Sequence, residues 1–177
     1  MKRSTIKKLL NTKPEGQEIV VKGWVRSIRN SKAFSFIVIN DGSTQTDLQI
    51  IADDTLAGYE EFSKCLNGSA FSIQGKLVES GGKQPIEVQA ISIDIIGSTP
   101  QDYPLQKKGT SMEFLREIAH LRPRTNTFSA VFRVRHELTQ ATHKFFSDKG
   151  FYNLHTPILT AMDAEGAGEL FRVTTLD

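Results

Sequence analysis

The first half of the chain alternates apolar and polar side chains with the period of two that is typical of half-buried β-strands. β-Branched and aromatic residues dominate five segments, which we predict to be strands: 18–29, 33–40, 48–52, 69–77 and 85–96. Between the third and fourth segments the period becomes helical, with Leu56, Tyr59 and Phe62 on one face. Turn residues stand at 40–43 (NDGS) and in the glycine-containing loop 79–83.

The predicted order, β-β-β-α-β-β, is that of an OB-fold, a five-stranded and partly open barrel that binds oligonucleotides through its second and third strands. An SH3-like barrel or a ferredoxin-like variant would use similar elements, so the order favours the OB-fold without deciding it. We predict an OB-fold for residues 1–97. Proline and glycine then interrupt residues 98–126, where only a short helix over 112–120 fits, and we predict a hinge there.

A long helix is predicted over residues 128–149, with Thr127 as its N-cap and Gly150 as its C-terminal stop. Its apolar stripe consists of Phe128, Val131, Phe132, Leu138, Ala141, Phe145 and Phe146. Residues 127–177, which include a strand-like stretch at 171–174, are therefore expected to open a second domain. One helix with a strand or two does not bury a core by itself, so we expect this part to need a partner or to be a fragment of a domain.

Charge is distributed unevenly along the chain. The 177 residues carry 22 basic and 20 acidic side chains, but residues 1–33 hold nine basic against two acidic ones. A basic leading segment that runs into strands is a candidate surface for a polyanion, although a solvated lysine-rich terminus has the same composition. The single cysteine, Cys65, excludes an internal disulfide and is interpreted as a small apolar residue in a reducing compartment. The sequence predicts neither a signal peptide nor a membrane span.

The common catalytic patterns are missing from the sequence. The four histidines have no cysteine or carboxylate partners at metal-ligand spacing, and neither a Walker loop nor a Gly-x-Gly-x-x-Gly motif occurs. The glycine-containing stretch 166–168 lies between Glu165 and Glu169. Because two flanking carboxylates repel phosphate, we expect this loop to surround a cationic group.

The second predicted strand offers a surface for an unpaired base. Its alternation places Phe34, Phe36 and Val38 on one face and Ser35, Ile37 and Ile39 on the other. An exposed phenylalanine beside Arg26, Arg29 and Lys32 would stack a base and bind its phosphate. The alternative is that both phenylalanines belong to the core. Gln49, on the third predicted strand, is placed to offer its amide to a base edge.

Several blocks of the sequence resemble the class IIb aminoacyl-tRNA synthetases. The blocks 23–29 (GWVRSIR), 34–37 (FSFI), 40–43 (NDGS) and 48–49 (LQ) are similar to the anticodon-binding OB domain of that family. The blocks 113–117 (EFLRE) and 120–127 (HLRPRTNT) are similar to its hinge. Gly150, Phe151, Pro157 and Ile158 resemble motif 1 of class II enzymes, a long helix followed by a strand at the subunit interface.

The resemblance implies an OB-fold anticodon-binding domain, a hinge, and the opening of an antiparallel α/β catalytic domain. Residues 165–173 (EGAGELFRV) and 41–43 resemble the members that attach asparagine to its tRNA. An enzyme for aspartate and a stand-alone nucleic-acid-binding OB module are the alternatives. The anticodon contacts implied by the resemblance are Arg26, Arg29, Phe36, Gln49 and Glu87, the last for the first anticodon base. In the family, the glutamate at the position of Glu165 holds the α-ammonium group of the amino acid.

The resemblance also implies ATP and Mg²⁺ as cofactors of the full-length enzyme, the asparagine-accepting tRNA as its partner, and a cytoplasmic location. A homodimer is expected around Gly150 and Pro157, where motif 1 forms the subunit interface of the family. Motifs 2 and 3, whose arginines hold the ATP phosphates, do not lie within these residues. We therefore expect no catalytic residue and no bound cofactor in this span alone.

Overall fold

The computed structural model describes residues 2–82, 84–106, 109–159, 171, 173 and 174. They divide into two compact units, Met1–Arg133 and Val134–Asp177. The strands are β1 (Arg3–Ser4), β2 (Glu18–Asn30), β3 (Phe34–Asn40), β4 (Leu48–Asp53), β5 (Ala70–Glu79) and β6 (Ile86–Gly97). The helices are α1 (Ile6–Leu10), α2 (Tyr59–Phe62), α3 (Met112–Glu117) and α4 (Asn126–Asp148), with a 3₁₀ turn at Arg122–Arg124.

Strands β2 to β6 form a closed barrel. β3 pairs with β2 and β4 in antiparallel ladders, β6 joins β4 in parallel, and β5 pairs antiparallel with both β6 and β2. The short β1 adds a parallel pairing to β2. The prediction of an OB-fold is confirmed, because five strands close on one another with a helix between the third and fourth of them.

One apolar core fills the barrel, and the strands contribute to it at every second residue. Its buried members include Val21, Val25, Ile37, Ile39, Leu48, Ile50, Phe62, Phe71, Ile73, Leu77 and Val88. Cys65 packs against this core from its margin, and burial raises the pKa of its thiol above the ordinary value. The cysteine is thus a partly buried packing residue.

The N-terminal segment contains an element that the apolar pattern did not predict. Ile6 and Leu9 of α1 are buried in the barrel core, while Lys7 and Lys8 are exposed. Thr5 begins the helix, since its hydroxyl accepts a hydrogen bond from the Lys8 amide at 3.3 Å. A single helical turn is too short to show a period, and its four neighbouring basic residues suggested a solvated terminus instead.

The turn after β3 holds α1 in place. The Asp41 carboxylate accepts hydrogen bonds from the amides of Ile6 and Ser43, both at 3.0 Å, and from the Ser43 hydroxyl at 2.6 Å. The Arg3 guanidinium lies 3.4 Å from the same carboxylate. Burial acts to raise the pKa of Asp41, but these hydrogen bonds outweigh it and hold the pKa below its ordinary value.

Gly75 marks a close approach between β5 and β6. A Cβ atom at this position would lie 2.4 Å from the carbonyl oxygen of Gln89 and 2.6 Å from Cγ1 of Val88. The register of the two strands also shifts between Gln74 and Gly75. The barrel therefore bends at a residue where any side chain would collide with the neighbouring strand.

The long helix α4 starts earlier than predicted. Thr125 is its N-cap instead of Thr127, because the Thr125 hydroxyl accepts a hydrogen bond from the Phe128 amide at 3.4 Å. Gly150 ends the helix as predicted. It adopts a φ of 85°, and the amide of the next residue, Phe151, donates to the Phe146 carbonyl at 3.1 Å.

The strand expected ahead of Pro157 is not formed. Residues 151–159 belong to neither a helix nor a strand in the described part of the chain. An extended segment becomes a strand only beside a partner, and the described residues offer this one none. Glu165 and most of the segment after it lie outside the described residues. In the part of the chain that the structure describes, no helix is long and apolar enough to cross a membrane.

Candidate nucleic-acid interface

Strand β3 presents its two phenylalanines on the outside of the barrel. Ser35, Ile37 and Ile39 are fully buried, whereas the residues that alternate with them, Phe34 and Phe36, are half-buried. The two faces of the strand thus divide as its sequence suggests. Of the two interpretations of Phe36 left open by the sequence, the structure supports the outward-facing one.

Phe36 is the centre of an aromatic and basic cluster. It pairs across the ladder with Arg29 of β2, whose guanidinium carbon lies 4.9 Å from the centre of the Phe36 ring. The Phe34 ring stands edge-on to it, with 5.0 Å between the ring centres. Arg29 itself is exposed, so a flat π-surface and a cation are available at one point of the barrel.

Gln49 and Glu87 form the polar part of the same outer face. Gln49 pairs with Val38 in the β3–β4 ladder. On the outer face this is the next pair after Phe36–Ile51, two residues further along β3. Its Nε2 donates to Oε2 of Glu87 at 3.1 Å, and the Ser80 hydroxyl donates to the same oxygen at 2.9 Å. Glu87 is only 8% exposed. These two hydrogen bonds fix the carboxylate, and both end on one of its oxygens.

The structure therefore brings together four of the five predicted anticodon-binding residues: Arg29, Phe36, Gln49 and Glu87. Ser80 is a fifth member of the arrangement that the sequence did not single out. It lies in the loop between β5 and β6, and only the folded barrel shows that its hydroxyl reaches a residue on the following strand.

Arg26 is the exception, because its guanidinium is used elsewhere in the chain. A bulge in β2 between Val25 and Ser27 takes Arg26 out of the ladder. Its side chain donates to the carbonyl of Arg124 and to Oδ1 of Asn126. Arg124 lies just before α4 and Asn126 is its first residue, so the Arg26 guanidinium is engaged by contacts within the chain at the start of this helix.

A groove of about 490 Å³ opens beside these contacts and is lined by residues such as Trp24, Gln45 and Tyr103. Trp24 is 40% exposed, and the Arg124 guanidinium carbon lies 4.5 Å from the centre of its ring. The residue pattern of the sequence did not single out Trp24 or Arg124 as a site residue. Trp24 occupies an outward position on β2, and this position in the strand alternation is the sequence feature that could have identified it.

The described residues show no fit to a metal ion. No group of three or more histidine, cysteine, aspartate or glutamate side chains among them is arranged to hold one. Glu165, the predicted contact of the amino acid, lies outside the described residues. The described side chains of the outer face offer stacking, charge and directed hydrogen bonds.

Two family models match the chain. The model described as an OB-fold nucleic acid binding domain covers residues 19–96, and the model of class II tRNA synthetases (D, K and N) covers residues 111–176. Along its whole length the chain is 56% identical to the asparagine–tRNA ligase of Desulfitobacterium hafniense (strain Y51) and 57% identical to that of Acetivibrio thermocellus. It spans 39% of the length of each of these curated relatives.

The fold has close counterparts among solved structures. The crystal structure of asparaginyl-tRNA synthetase from Pyrococcus horikoshii complexed with asparaginyl-adenylate aligns with a TM-score of 0.86, covering 99% of this chain and 41% of that one at 21% identity. An aspartyl-tRNA synthetase from Entamoeba histolytica aligns with a TM-score of 0.76 at 18% identity. At such identities the likeness concerns the fold.

Proposed function

We infer that this chain, which belongs to the asparagine–tRNA ligase family of class II synthetases, carries the part of such a ligase that recognises the tRNA anticodon. The observation that carries this proposal is the outer face of the barrel, which holds the Phe36–Arg29 pair and, across β4, the Glu87 carboxylate fixed by Gln49 and Ser80. Proteins read RNA sequence mainly in single-stranded loops, whose bases can be stacked and hydrogen-bonded at their edges. An anticodon loop is such a target.

Each residue of the face has a distinct role in this proposal. Phe36 stacks on an anticodon base, and Arg29 binds the adjoining phosphate or a base edge. Gln49 and Glu87 read a base by hydrogen bonding. Glu87, whose Oε2 already accepts two hydrogen bonds within the chain, turns its second oxygen to an amino or imino group of the first anticodon base.

The test is the affinity for a transcript of the asparagine-accepting tRNA at a fixed salt concentration. Phe36→Ala is expected to weaken binding about tenfold or more, because stacking on one base is worth about 1–3 kcal/mol. Phe114→Ala is the matched control, since Phe114 is also a partly exposed phenylalanine but belongs to α3 and to none of the contacts described for this face. Equal affinity of the Phe36→Ala variant and the unchanged protein would reject the proposed site.

For the whole protein we propose the ATP-dependent ligation of asparagine to its tRNA in the cytoplasm. ATP with Mg²⁺ would activate the amino acid, and Glu165 would hold its α-ammonium group through a charge-assisted hydrogen bond. We assign residues 1–97 to the anticodon-binding domain, 98–126 to the hinge and 127–177 to the start of the catalytic domain. ATP–pyrophosphate exchange by the full-length protein, with asparagine and aspartate compared, tests the amino acid. Exchange with aspartate alone would overturn the assignment.

We also propose a homodimer built around α4, Gly150 and Pro157. α4 has no buried residue among those described, and Val134, Leu138 and Phe145 are each more than half exposed. An apolar surface of this kind favours an interface, and closed two-fold dimers are the commonest assemblies. Sedimentation of the full-length protein at micromolar concentration tests it. A monomer that Pro157→Ala leaves unaffected would limit this segment to packing within one subunit.

A further inference from the structure

We propose that Arg26 is a positioning residue, which fixes the start of α4 on the RNA-binding barrel and is required for aminoacylation but not for binding the anticodon. This inference rests on the proposed function. It assigns a role to the one predicted anticodon residue that the structure places away from the others. All the contacts of Arg26 that support it lie within the unit Met1–Arg133.

The backbone of β2 directs Arg26 away from the RNA-binding face. Val25 pairs with Ile39 and Ser27 pairs with Val38, so Arg26 is the extra residue of a bulge. A bulge interrupts the regular alternation and re-aims the side chain that it carries. Arg29, only three residues further along the same strand, returns to the ladder opposite Phe36. One strand thus bears an RNA-binding arginine and an arginine that binds the chain itself.

The Arg26 guanidinium bridges two acceptors at the beginning of α4. One terminal nitrogen donates to the Arg124 carbonyl and the other to Oδ1 of Asn126, the first residue of the helix. The Asp47 carboxylate lies 3.8 Å from Nε and accepts a hydrogen bond from Asn40 at 2.8 Å. A planar fork of donors is needed to reach both acceptors, and lysine does not provide it.

Three further contacts hold the same segment on the barrel. Nε2 of Gln45 donates to the Asn126 carbonyl at 3.2 Å, and Arg133 donates to the Gly42 carbonyl. The Arg124 guanidinium covers the ring of Trp24. We call these contacts, together with those of Arg26, the helix clamp. The hydrogen bonds of the clamp join positions that are 81 to 100 residues apart in the sequence.

The helix clamp explains why Arg26, a residue of the barrel, would affect aminoacylation without contacting the reacting groups. While the contacts of the helix clamp persist, RNA bound at Arg29 and Phe36 keeps a fixed position relative to the first turns of α4. Transfer of an amino acid requires the RNA acceptor end to be placed accurately, and a misplacement of about 1 Å can cost about a hundredfold in rate. Binding of the anticodon requires only the outer face of the barrel.

The clamp contains its own spectroscopic reporter, because Trp24 is the single tryptophan of the chain. We expect Arg26→Ala to shift Trp24 emission and to increase its quenching by iodide, since the Arg124 guanidinium is released from the ring. The same variant should keep its affinity for the asparagine-accepting tRNA. In the full-length enzyme its kcat for aminoacylation should fall about tenfold to a hundredfold at an unchanged KM for tRNA. Asparagine-dependent ATP–pyrophosphate exchange should not change.

Other substitutions separate this role from general damage. Arg26→Lys should fail to restore kcat, because an ammonium group does not bridge both acceptors. Asn126→Ala removes one of the two acceptors of Arg26. It should lower kcat less than Arg26→Ala does and change Trp24 quenching by a similar amount. If Arg26→Ala does not fold, Asn126→Ala takes its place in the test. Arg116→Ala is the matched control, an exposed arginine of α3. Arg29→Ala should weaken tRNA binding and leave Trp24 emission unchanged.

Two results would overturn the inference. If Arg26→Ala weakens tRNA binding as much as Phe36→Ala does and leaves Trp24 emission unchanged, Arg26 contacts RNA directly. If Arg26→Ala and Asn126→Ala change Trp24 quenching but not kcat, the clamp has no role in the reaction. Failure of the proposed anticodon site has a different signature, namely an unchanged tRNA affinity in Phe36→Ala, and it leaves the Trp24 measurements valid.

Discussion

The barrel strands and the long helix both carry apolar residues at regular spacing, yet among the described residues the barrel strands bury theirs and α4 buries none. Ile37 and Ile50 are completely inaccessible to solvent, whereas Leu138 of α4 is 63% exposed. The difference lies in the partners: each barrel strand pairs with neighbours inside a span of about eighty residues. The periodicity of a segment therefore specifies the element and its apolar face, but not what covers that face.

The largest expected effect separates the two regions by stability. Ile37→Ala should lower the free energy of unfolding by about 2–5 kcal/mol, because it removes methylene groups from a closed core and leaves a cavity. Leu138→Ala should change it by less than about 0.5 kcal/mol in this chain, as an exposed substitution does. Urea unfolding followed by circular dichroism measures both. Similar losses in the two variants would mean that α4 is covered within the chain.

The next effect tests how tightly the barrel closes. Gly75→Ala should cost about 1–3 kcal/mol, because the new methyl group would collide with the backbone of Gln89. Gly97→Ala is the control: a Cβ atom there meets nothing within 4 Å, and its backbone does not require glycine. The midpoints of urea unfolding give the comparison. Equal midpoints for the two variants would show that β5 and β6 separate easily at this bend.

Acid should weaken the attachment of α1 to the barrel. Because the folded-state pKa of Asp41 lies below its ordinary value of 3.8, its carboxylate stabilises the fold above that value, and the contribution disappears as the pH falls through the lower, folded-state pKa. Asp41→Asn should cost about 1 kcal/mol at neutral pH, because hydrogen bonds to a charged acceptor are stronger than those to a neutral amide oxygen. It should also flatten the loss of stability below about pH 4. An unaltered acid profile in the variant would contradict this account.

The smallest effect concerns the first turn of α4. Thr125→Ala should reduce helix content slightly, by an amount equivalent to about 0.5–1 kcal/mol of local stability, because the Phe128 amide loses its acceptor. Thr127→Ala should leave the helix content unchanged or raise it, since alanine has the higher helix propensity. Far-ultraviolet circular dichroism of the two variants distinguishes them. A loss of helix content in Thr127→Ala but not in Thr125→Ala would show that Thr127 is the N-cap.

The sequence predicts the barrel better than it predicts the interface, and the reason is the bulge in β2. Alternation located all five barrel strands, since burial on one face leaves a period that survives in the sequence. It also put Phe36 and Ile37 on opposite faces of their strand, but only the structure shows that the face of Phe36 is the outer one. Alternation could not place Arg26, because the extra residue of the bulge reverses the alternation along β2. The residue types at 25–27 do not predict a bulge. The β1–α1 segment was missed for another reason, namely its shortness.

The buried carboxylate of Glu87 has a consequence for discrimination. A surface that binds a polyanion would gain general affinity from a neutral or basic residue at this point, and the barrel has instead a negative charge fixed by Ser80 and Gln49. A phosphate, or a base edge that offers only acceptors, meets repulsion there. A base edge that carries a hydrogen-bond donor does not meet this repulsion, because the donor can bond to the Glu87 carboxylate. In the proposed anticodon site, Glu87 would therefore select its base by rejecting the others, at the expense of some overall attraction for RNA.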